Sequence, residues 1–310
     1  MDLEILQYNV DTSCNYRCDD CSRFFDCTHE KKANLYKYWA YTATKERMAK
    51  VKHKIMVLSG KGGVGKSTVS ANLAAALAAK GYKTGIIDLD LMGPSIPRLL
   101  GVGDKKMYLR LGEGIMPVMN SQGIKVMSMA HTMRDNDALT WFHDMKKSAV
   151  EGFLTQVIYD ELDYLIIDLP PGTGTETTSV IRYLSDMDGA VIVTIPTEVS
   201  QRVARKAITL CNKAEIPVLG VIENMSGCVC SHCGKESPVL SVGGGLRMAE
   251  EMGVPFLGPI PLEEIASRDS DEGKPFITNH PDSVSAQAFT VIVNKIEETI
   301  KAKERMKAKE

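Results

Sequence analysis

The sequence lacks an excess of charge of either sign. Its 310 residues contain 37 Lys and Arg against 39 Asp and Glu, which leaves a formal net charge of −2. A near-neutral balance removes any overall electrostatic argument for binding nucleic acid. We therefore expect no nucleic-acid partner.

Long apolar runs are also absent. No stretch approaches the roughly 20 apolar residues that a membrane helix requires, and residues 1–13 carry acids without the apolar core of a secretory signal. We therefore expect a cytoplasmic protein with no membrane partner. In that reducing compartment the eight cysteines are expected to be thiols or metal ligands rather than disulfides.

The cysteines divide the chain. Four lie within residues 14–27, four lie between residues 211 and 233, and the long middle part has none. Near residue 52 an apolar run begins that leads into a glycine-rich segment. We predict a cysteine-rich, metal-binding N-terminal segment with a linker helix over 1–51, a main domain over 52–295 and a polar helical tail over 296–310.

Beyond residue 52, apolar runs alternate with helical patterns. The predicted strands are rich in Val and Ile and span 55–58, 85–88, 164–168, 190–195, 218–223 and 256–260. Such strands, separated by helices, indicate an α/β fold with a doubly wound, mainly parallel sheet. Residues 114–118 and 124–127 are predicted to form an inserted hairpin. One helix is predicted to present a single apolar face made of Val199, Val203, Leu210, Cys211 and Ala214, which makes Cys211 a core residue.

A glycine-rich motif follows the first predicted strand. Residues 60–67 fit the pattern G-x-x-x-x-G-K-[ST] between a strand and a helix. Glycines allow backbone N–H groups to turn toward phosphate oxygens, and the start of the next helix also attracts anions. We predict that Lys66 reaches the β- and γ-phosphates and that Ser67 binds Mg²⁺. The residues predicted to contact the nucleotide here are Gly60, Lys61, Gly62, Gly63, Val64, Gly65, Lys66, Ser67 and Thr68.

Two predicted strands end in acidic residues. Asp88 and Asp90 follow the second strand, and residues 165–168 (Leu-Ile-Ile-Asp) have the form of a Walker B motif. The carboxyl ends of parallel strands meet beside the phosphate loop in a doubly wound sheet. We predict that Asp168 holds Mg²⁺ through water, Asp88 supports the metal, Asp90 orients the attacking water and Gly172 offers an N–H to the γ-phosphate. An acid that caps a helix or closes a loop is the alternative in each case.

Lys61 makes the glycine-rich motif a deviant Walker A, K-G-G-x-G-K-[ST]. Here the sequence resembles the family that contains MinD, ParA and the nitrogenase iron protein, which are P-loop NTPases of the SIMIBI type. The resemblance implies an ATP-dependent homodimer in which Lys61 reaches a phosphate held by the other subunit. The implied catalytic residues are Lys61, Lys66, Asp90 and Asp168. The same resemblance implies that Asn224 contacts the adenine base. The alternative is that Asn224 is a simple turn residue at the end of a strand.

A cysteine motif follows Asn224 directly. Residues 223–226 read Glu-Asn-Met-Ser and are followed by Cys228, Cys230 and Cys233. Together with the motifs at 90–95 and 168–174, this narrows the resemblance to the Mrp/ApbC-type iron–sulfur cluster carriers over residues 52–295.

The resemblance implies that Cys230 and Cys233, on a hairpin at 226–238, share one 4Fe–4S cluster with their counterparts in a second chain. Two thiolates per chain need a two-fold axis to make four ligands. Zinc is the alternative, because C-x-x-C beside His232 also fits a Zn²⁺ site. The role of Cys228, which stands where the family usually has an apolar residue, is open.

The N-terminal cysteines are Cys14, Cys18, Cys21 and Cys27. The first three have the spacing of radical S-adenosylmethionine enzymes, but a P-loop domain follows instead of the repeated β/α units that such enzymes need. The set also resembles the N-terminal extension of the eukaryotic and archaeal carriers, which ends in C-x-x-C-x₅-C as Cys18, Cys21 and Cys27 do. Cys14 is inferred as the fourth ligand because it is available. For this segment the sequence is consistent with either an iron–sulfur cluster or a zinc ion.

The leading interpretation is an ATP-hydrolysing carrier that takes a 4Fe–4S cluster from upstream donors and passes it to apo iron–sulfur proteins. The alternative is a MinD/ParA-like positioning or partitioning ATPase with structural zinc. A nitrogenase-like reductase is disfavoured because residues 168–172 carry no cysteine. Residues 141–144 (Trp-Phe-His-Asp) depart from the Trp-Arg-Gly-Pro run of many carriers, a change that bears on partner choice and ATPase rate.

Overall fold

The computed structural model describes residues 39–132, 143–184, 186–229, 233, 235–237 and 242–307. The predictions for the four N-terminal cysteines, for Cys230 and for residues 141–142 lie outside these residues.

Strands and helices alternate along most of the described chain. The strands are β1 (Val51–Ser59), β2 (Thr84–Asp88), β3 (Tyr108–Arg110), β4 (Gly114–Met116), β5 (Val118–Met119), β6 (Lys125–Ser128), β7 (Leu162–Asp168), β8 (Gly189–Thr194), β9 (Val218–Val229), β10 (Glu236–Ser237) and β11 (Phe256–Leu262). The helices are α1 (Trp39–Met48), α2 (Lys66–Ala79), α3 (Ile96–Leu99), α4 (His143–Thr155), α5 (Thr175–Tyr183), α6 (Glu198–Lys213), α7 (Gly244–Met252), α8 (Glu264–Asp271), α9 (Phe276–Asn279) and α10 (Val284–Lys307).

Among the described residues, nine strands form the central sheet. The strand order is β10-β9-β8-β1-β7-β2-β6-β5, and β11 also pairs with β9. All pairings are parallel except β5 with β6 and β10 with β9. The chain winds outward from β1 in both directions, so the carboxyl end of β1 is the switch point where such sheets bind ligands. The predicted doubly wound, mainly parallel fold is confirmed.

Both faces of the sheet are covered. Successive residues of β1 point to opposite faces, so that Ile55 and Val57 join one buried cluster while Met56 and Leu58 join the other. The first cluster includes residues of α2 and α10, and the second includes residues of α4, α5 and α6. This packing from both sides fixes the loop that follows β1.

Two local predictions are wrong in part: the hairpin pairs Val118 with Val126 as expected, and Cys211 is in the core, but other residues of both predictions are placed differently. Residues 114–116 pair with β3 in a separate two-stranded sheet, and the hairpin on the main sheet is β5 with β6. On α6 the apolar residue Val199 is 67% exposed, whereas Ser200 turns inward and its hydroxyl lies 3.0 Å from that of Thr194. The first turn of α6 therefore buries Ser200 and exposes Val199.

The two ends of the described chain pack on the domain. Met48 of α1 is buried in the same cluster as residues of α4. At the other end α10 passes residue 296 without a break, and Ile296 and Ile300 are fully buried. Within the predicted tail, residues 296–307 are helical, and the first of these turns belong to the core because Ile296 and Ile300 are buried.

Within the described residues, no helix combines the length and apolar character needed to cross a membrane.

Candidate nucleotide-binding site and cysteine hairpin

The glycine-rich loop connects β1 to α2 at the switch point of the sheet. Gly63 and Gly65 have φ angles of +77° and +76°, which L side chains rarely adopt. A Cβ on Gly60 would lie 2.5 Å from the Ala204 backbone nitrogen. The loop therefore needs glycine for its turns and for its close approach to α6.

Gly65 offers a direct test of this geometry. A Cβ there would fall inside van der Waals contact of the Asn224 side-chain amide, in a left-handed conformation. We expect Gly65→Ala to lower the free energy of unfolding of the nucleotide-free protein by about 2 kcal/mol or more. Urea unfolding measures this change. Gly62→Ala is the control, because a Cβ at Gly62 meets nothing within 4 Å; equal losses for both variants would contradict the geometry.

Lys66 and Asp168 form a buried ion pair at the end of the loop. The Lys66 Nζ lies 2.6 Å from Asp168 Oδ2, and the two side chains are 6% and 0% exposed. Ser67 Oγ donates to Asp168 Oδ2 at 2.7 Å, and Ser70 Oγ donates to Asp168 Oδ1 at 2.5 Å. Both Asp168 oxygens are thus held by groups of the first turns of α2. No sequence motif includes Ser70, because its hydrogen bond to Asp168 depends on the proximity of β7 to α2.

Asp88 lies directly opposite Asp168 on the adjoining strands β2 and β7. Its carboxylate accepts hydrogen bonds from the backbone N–H groups of Asp90, Ser95 and Ile96. Burial, followed by the nearby Asp168 carboxylate, raises the pKa of Asp88, while the Lys66 ammonium lowers it. A cation beside the two carboxylates would favour the ionised form of Asp88.

The oxygen donors at this sheet edge fit magnesium. The Ser67 hydroxyl and the carboxylates of Asp88 and Asp168 are the hard ligands that Mg²⁺ prefers. Asp168 is fully buried, so its charge is poorly screened by water. These residues would hold the ion, with Asp168 as the main anionic group.

The other predicted residues of the site have different surroundings. Asp90 is half-buried, and burial raises its pKa. The Gly172 N–H donates to the Ser59 carbonyl at 2.9 Å, so contact with a phosphate requires that bond to be exchanged. Lys61 is half-exposed, on the loop surface. Their roles toward nucleotide stay predictions.

A cavity of about 230 Å³ opens beside the loop. Thr68, Asn224, Met225, Ile260 and Phe289 are among its mostly apolar lining residues. Asn224 Nδ2 donates to the Val64 carbonyl at 2.9 Å, which fixes the amide between the phosphate loop and the cavity. An apolar cavity with an amide at its edge suits the flat faces and polar rim of a nucleotide base.

The first turn of α5 contacts the first turn of α4. His143 Nδ1 lies 2.7 Å from Thr175 Oγ1, and Lys146 Nζ lies 3.0 Å from Glu176 Oε1. His143 belongs to the departure at residues 141–144, so the part of it that the structure describes contacts α5. The sequence alone does not predict these contacts, because they join segments that are distant along the chain.

The cysteine hairpin continues from β9. Cys228 pairs with Ser237 and Val229 with Glu236 in antiparallel register. Cys228 is half-buried at the base of this hairpin, and Cys233 is exposed in its turn. No group of three potential metal ligands occurs among the described residues, and Cys230 lies outside them. The ligand roles of Cys230 and Cys233 therefore stay predictions.

Cys211 differs from these cysteines. It is fully buried on α6, and burial raises the pKa of its thiol to about 12. At pH 8 we expect only about one thiol in 10⁴ to be ionised. In the reduced, metal-free protein, iodoacetamide should modify Cys233 at least about 100-fold faster than Cys211.

Peptide mass spectrometry over time measures both alkylation rates. The same reaction in denaturing urea is the control, since unfolding should remove the difference. Equal rates in the folded protein would contradict the core position of Cys211.

A parallel sheet with a glycine-rich loop at its switch point and a buried Lys–Asp pair behind that loop defines a P-loop NTPase. The family model described as "NUBPL iron-transfer P-loop NTPase", of the ParA group, matches residues 50–297. The chain belongs to this family.

Similar proteins agree with that family. An iron–sulfur cluster carrier protein of Methanocaldococcus jannaschii is 42% identical over 291 residues, covering 94% of this chain and 98% of the relative. One of Saccharolobus solfataricus is 46% identical over 251 residues, covering 81% and 84%.

Solved structures show the same fold. A nucleotide-binding protein of Archaeoglobus fulgidus, in complex with ADP, is 38% identical with a TM-score of 0.68, covering 76% of this chain and 92% of that one. The cell division ATPase MinD of Pyrococcus furiosus is 25% identical with a TM-score of 0.58, covering 79% and 98%.

Proposed function

We propose that this protein is an ATP-hydrolysing carrier that binds a 4Fe–4S cluster and transfers it to apo iron–sulfur proteins. The observation that carries the proposal is the course of β9. Asn224 contacts the phosphate loop through Val64, and four residues later the same strand enters the cysteine hairpin. Relatives named iron–sulfur cluster carrier proteins at 42% and 46% identity support it.

In this proposal ATP lies with its phosphates on the loop and its base in the neighbouring cavity. The N–H groups of the loop and the start of α2 bind the phosphate oxygens. Lys66 balances charge on the β- and γ-phosphates, and Asp90 orients the attacking water. Mg²⁺, when bound, neutralises charge that develops on the transferred phosphoryl group.

Lys61 acts across a homodimer in this proposal. A cation from the second chain offsets charge that builds up during phosphoryl transfer. We expect Lys61→Ala and Lys66→Ala chains to be inactive alone and to recover activity when coexpressed. Each mixed dimer then has one nucleotide site with Lys66 in its own chain and Lys61 from the partner. With random assortment we expect about one quarter of wild-type ATPase activity.

ATPase assays on coexpressed and on separately purified chains measure this recovery. Mixed chains that show no more than the sum of their separate activities would contradict the trans role of Lys61. Lys52→Ala is the control for the loss of a lysine, because Lys52 is a surface residue paired with Asp163.

The cluster is the cargo of the protein. We assign its ligands to Cys230 and Cys233 of two chains, which together supply four thiolates. The test is anaerobic purification followed by analysis of iron, sulfide and zinc, and then by transfer to an apo iron–sulfur protein. Zinc without sulfide would overturn the carrier proposal.

The N-terminal cysteines form a second metal site in this proposal. Metal that remains after Cys230 and Cys233 are replaced belongs to this segment. Sulfide in that remainder indicates a cluster, and zinc alone indicates a structural site.

A further inference from the structure

A buried carboxylate contacts both ends of residues 226–243, the part of the chain that contains Cys228, Cys230 and Cys233. We call these residues the cysteine segment. Glu223 is 1% exposed and lies where the pairing of β9 with β8 ends. Its Oε1 accepts a hydrogen bond from Ser226 Oγ at 2.6 Å and from the Gly243 N–H at 2.9 Å. Its Oε2 accepts one from the Gly245 N–H. Ser226 lies before the cysteines and the glycines lie after them, so one side chain holds both ends of the segment.

The glycines at the start of α7, where the cysteine segment ends, allow this contact. Gly243 has a φ angle of +81°. A Cβ on Gly245 would lie 2.9 Å from the Glu223 Cβ, and one on Gly244 would overlap the Gln201 side-chain amide. The carboxylate can therefore approach the first N–H groups of α7, where the helix dipole stabilises a negative charge.

The next two residues connect this contact to the nucleotide site. Asn224 binds the Val64 carbonyl of the phosphate loop. Met225 lines the cavity beside the loop and has a left-handed φ angle of +55°. Because Glu223 and Asn224 are adjacent, a shift of the loop that moves Asn224 also moves the residue that holds the cysteine segment.

We propose that Glu223 is a positioning residue that closes the base of the cysteine segment and makes the cysteines respond to nucleotide. The inference rests on the proposed function, which makes a 4Fe–4S cluster the group that the cysteines bind. Its contacts, however, belong to the chain itself and can be tested without a cluster.

The first experiment uses metal-free, reduced protein. The alkylation rate of Cys233 by iodoacetamide is measured with and without a non-hydrolysable ATP analogue and Mg²⁺. We expect the analogue to change the wild-type rate and Glu223→Gln to abolish that change. The variant should also react about tenfold faster without nucleotide, because an amide cannot accept all three hydrogen bonds.

The matched control is Glu297→Gln. Glu297 is also buried, at 5% exposure, and it accepts hydrogen bonds from Lys80 and Tyr82, so that its carboxylate joins α10 to the end of α2 and not to the two ends of the cysteine segment. The control should keep the nucleotide response. A response preserved in Glu223→Gln, one lost equally in Glu297→Gln, or none in the wild type would overturn the inference.

The second experiment uses protein reconstituted with iron and sulfide. In Glu223→Gln the rate of cluster transfer to an apo-acceptor should no longer depend on ATP, while the KM for ATP stays within about twofold of wild type. A wild type that binds no cluster would refute the proposed function and leave the alkylation result to decide on Glu223. Nucleotide-dependent transfer by the variant would refute the inference alone.

Discussion

Replacing Lys66 with Ala is expected to lower ATP hydrolysis at least about 100-fold, the effect of removing a preorganised charge from the transferred phosphate. The ammonium lies 2.6 Å from a carboxylate that is fully buried. Its removal also leaves Asp168 without a counter-charge, which we expect to cost about 3–5 kcal/mol of stability. Steady-state ATPase assays and urea unfolding measure the two effects.

Two further variants separate chemistry from stability. Lys66→Arg keeps the positive charge and should recover stability but little activity, since the guanidinium has a different shape. Lys52→Ala removes the same charge from an exposed position and should leave both quantities near wild type. A folded Lys66→Ala protein that hydrolyses ATP at the wild-type rate would disprove the assignment of the phosphate site.

Replacing Cys230 and Cys233 together with Ala is expected to remove the shared cluster. After anaerobic reconstitution the hairpin site should contribute about two iron and two sulfide per wild-type chain, half of a 4Fe–4S cluster. The double variant should lose this contribution and the ability to activate an apo-acceptor, and it should keep its ATPase activity. Iron and sulfide assays together with absorption spectra measure the loss.

Cys211→Ala is the control for the loss of a thiol. Cys211 is buried in the core away from the hairpin, so this variant should keep the full cluster content. A double variant that retains all of its iron and sulfide would place the cluster elsewhere in the chain. Loss of zinc with no sulfide in the wild type would identify a structural site instead.

The sequence predicted the elements whose residues are neighbours along the chain. The phosphate loop, the Asp168 strand and the sheet strands each carry their signal within a few residues, and the parallel fold follows from their alternation. By contrast, Ser70 and Glu223 acquire their partners only when distant segments meet. Their signals are ordinary polar residues, which local patterns cannot distinguish from surface.

The wrong placement of residues 114–116 has a related cause. Strands of two to four residues, such as β4 and β5, have too little periodicity to identify a partner, so their pairing depends on tertiary contacts. On α6, Ser200 is buried beside Thr194 of β8 while the neighbouring Val199 is exposed. In both places a contact that the apolar pattern does not encode decides which residues pair or face inward.

The burial of Ile296 and Ile300 has a consequence for the order in which the protein matures on the ribosome. These residues cover the face of the sheet that also supports α2, and Glu297 binds Lys80 and Tyr82 just after that helix. During synthesis the phosphate loop and the cysteine segment emerge long before this cover. The nascent chain thus exposes these segments before α10 can cover the apolar face that Ile296 and Ile300 bury.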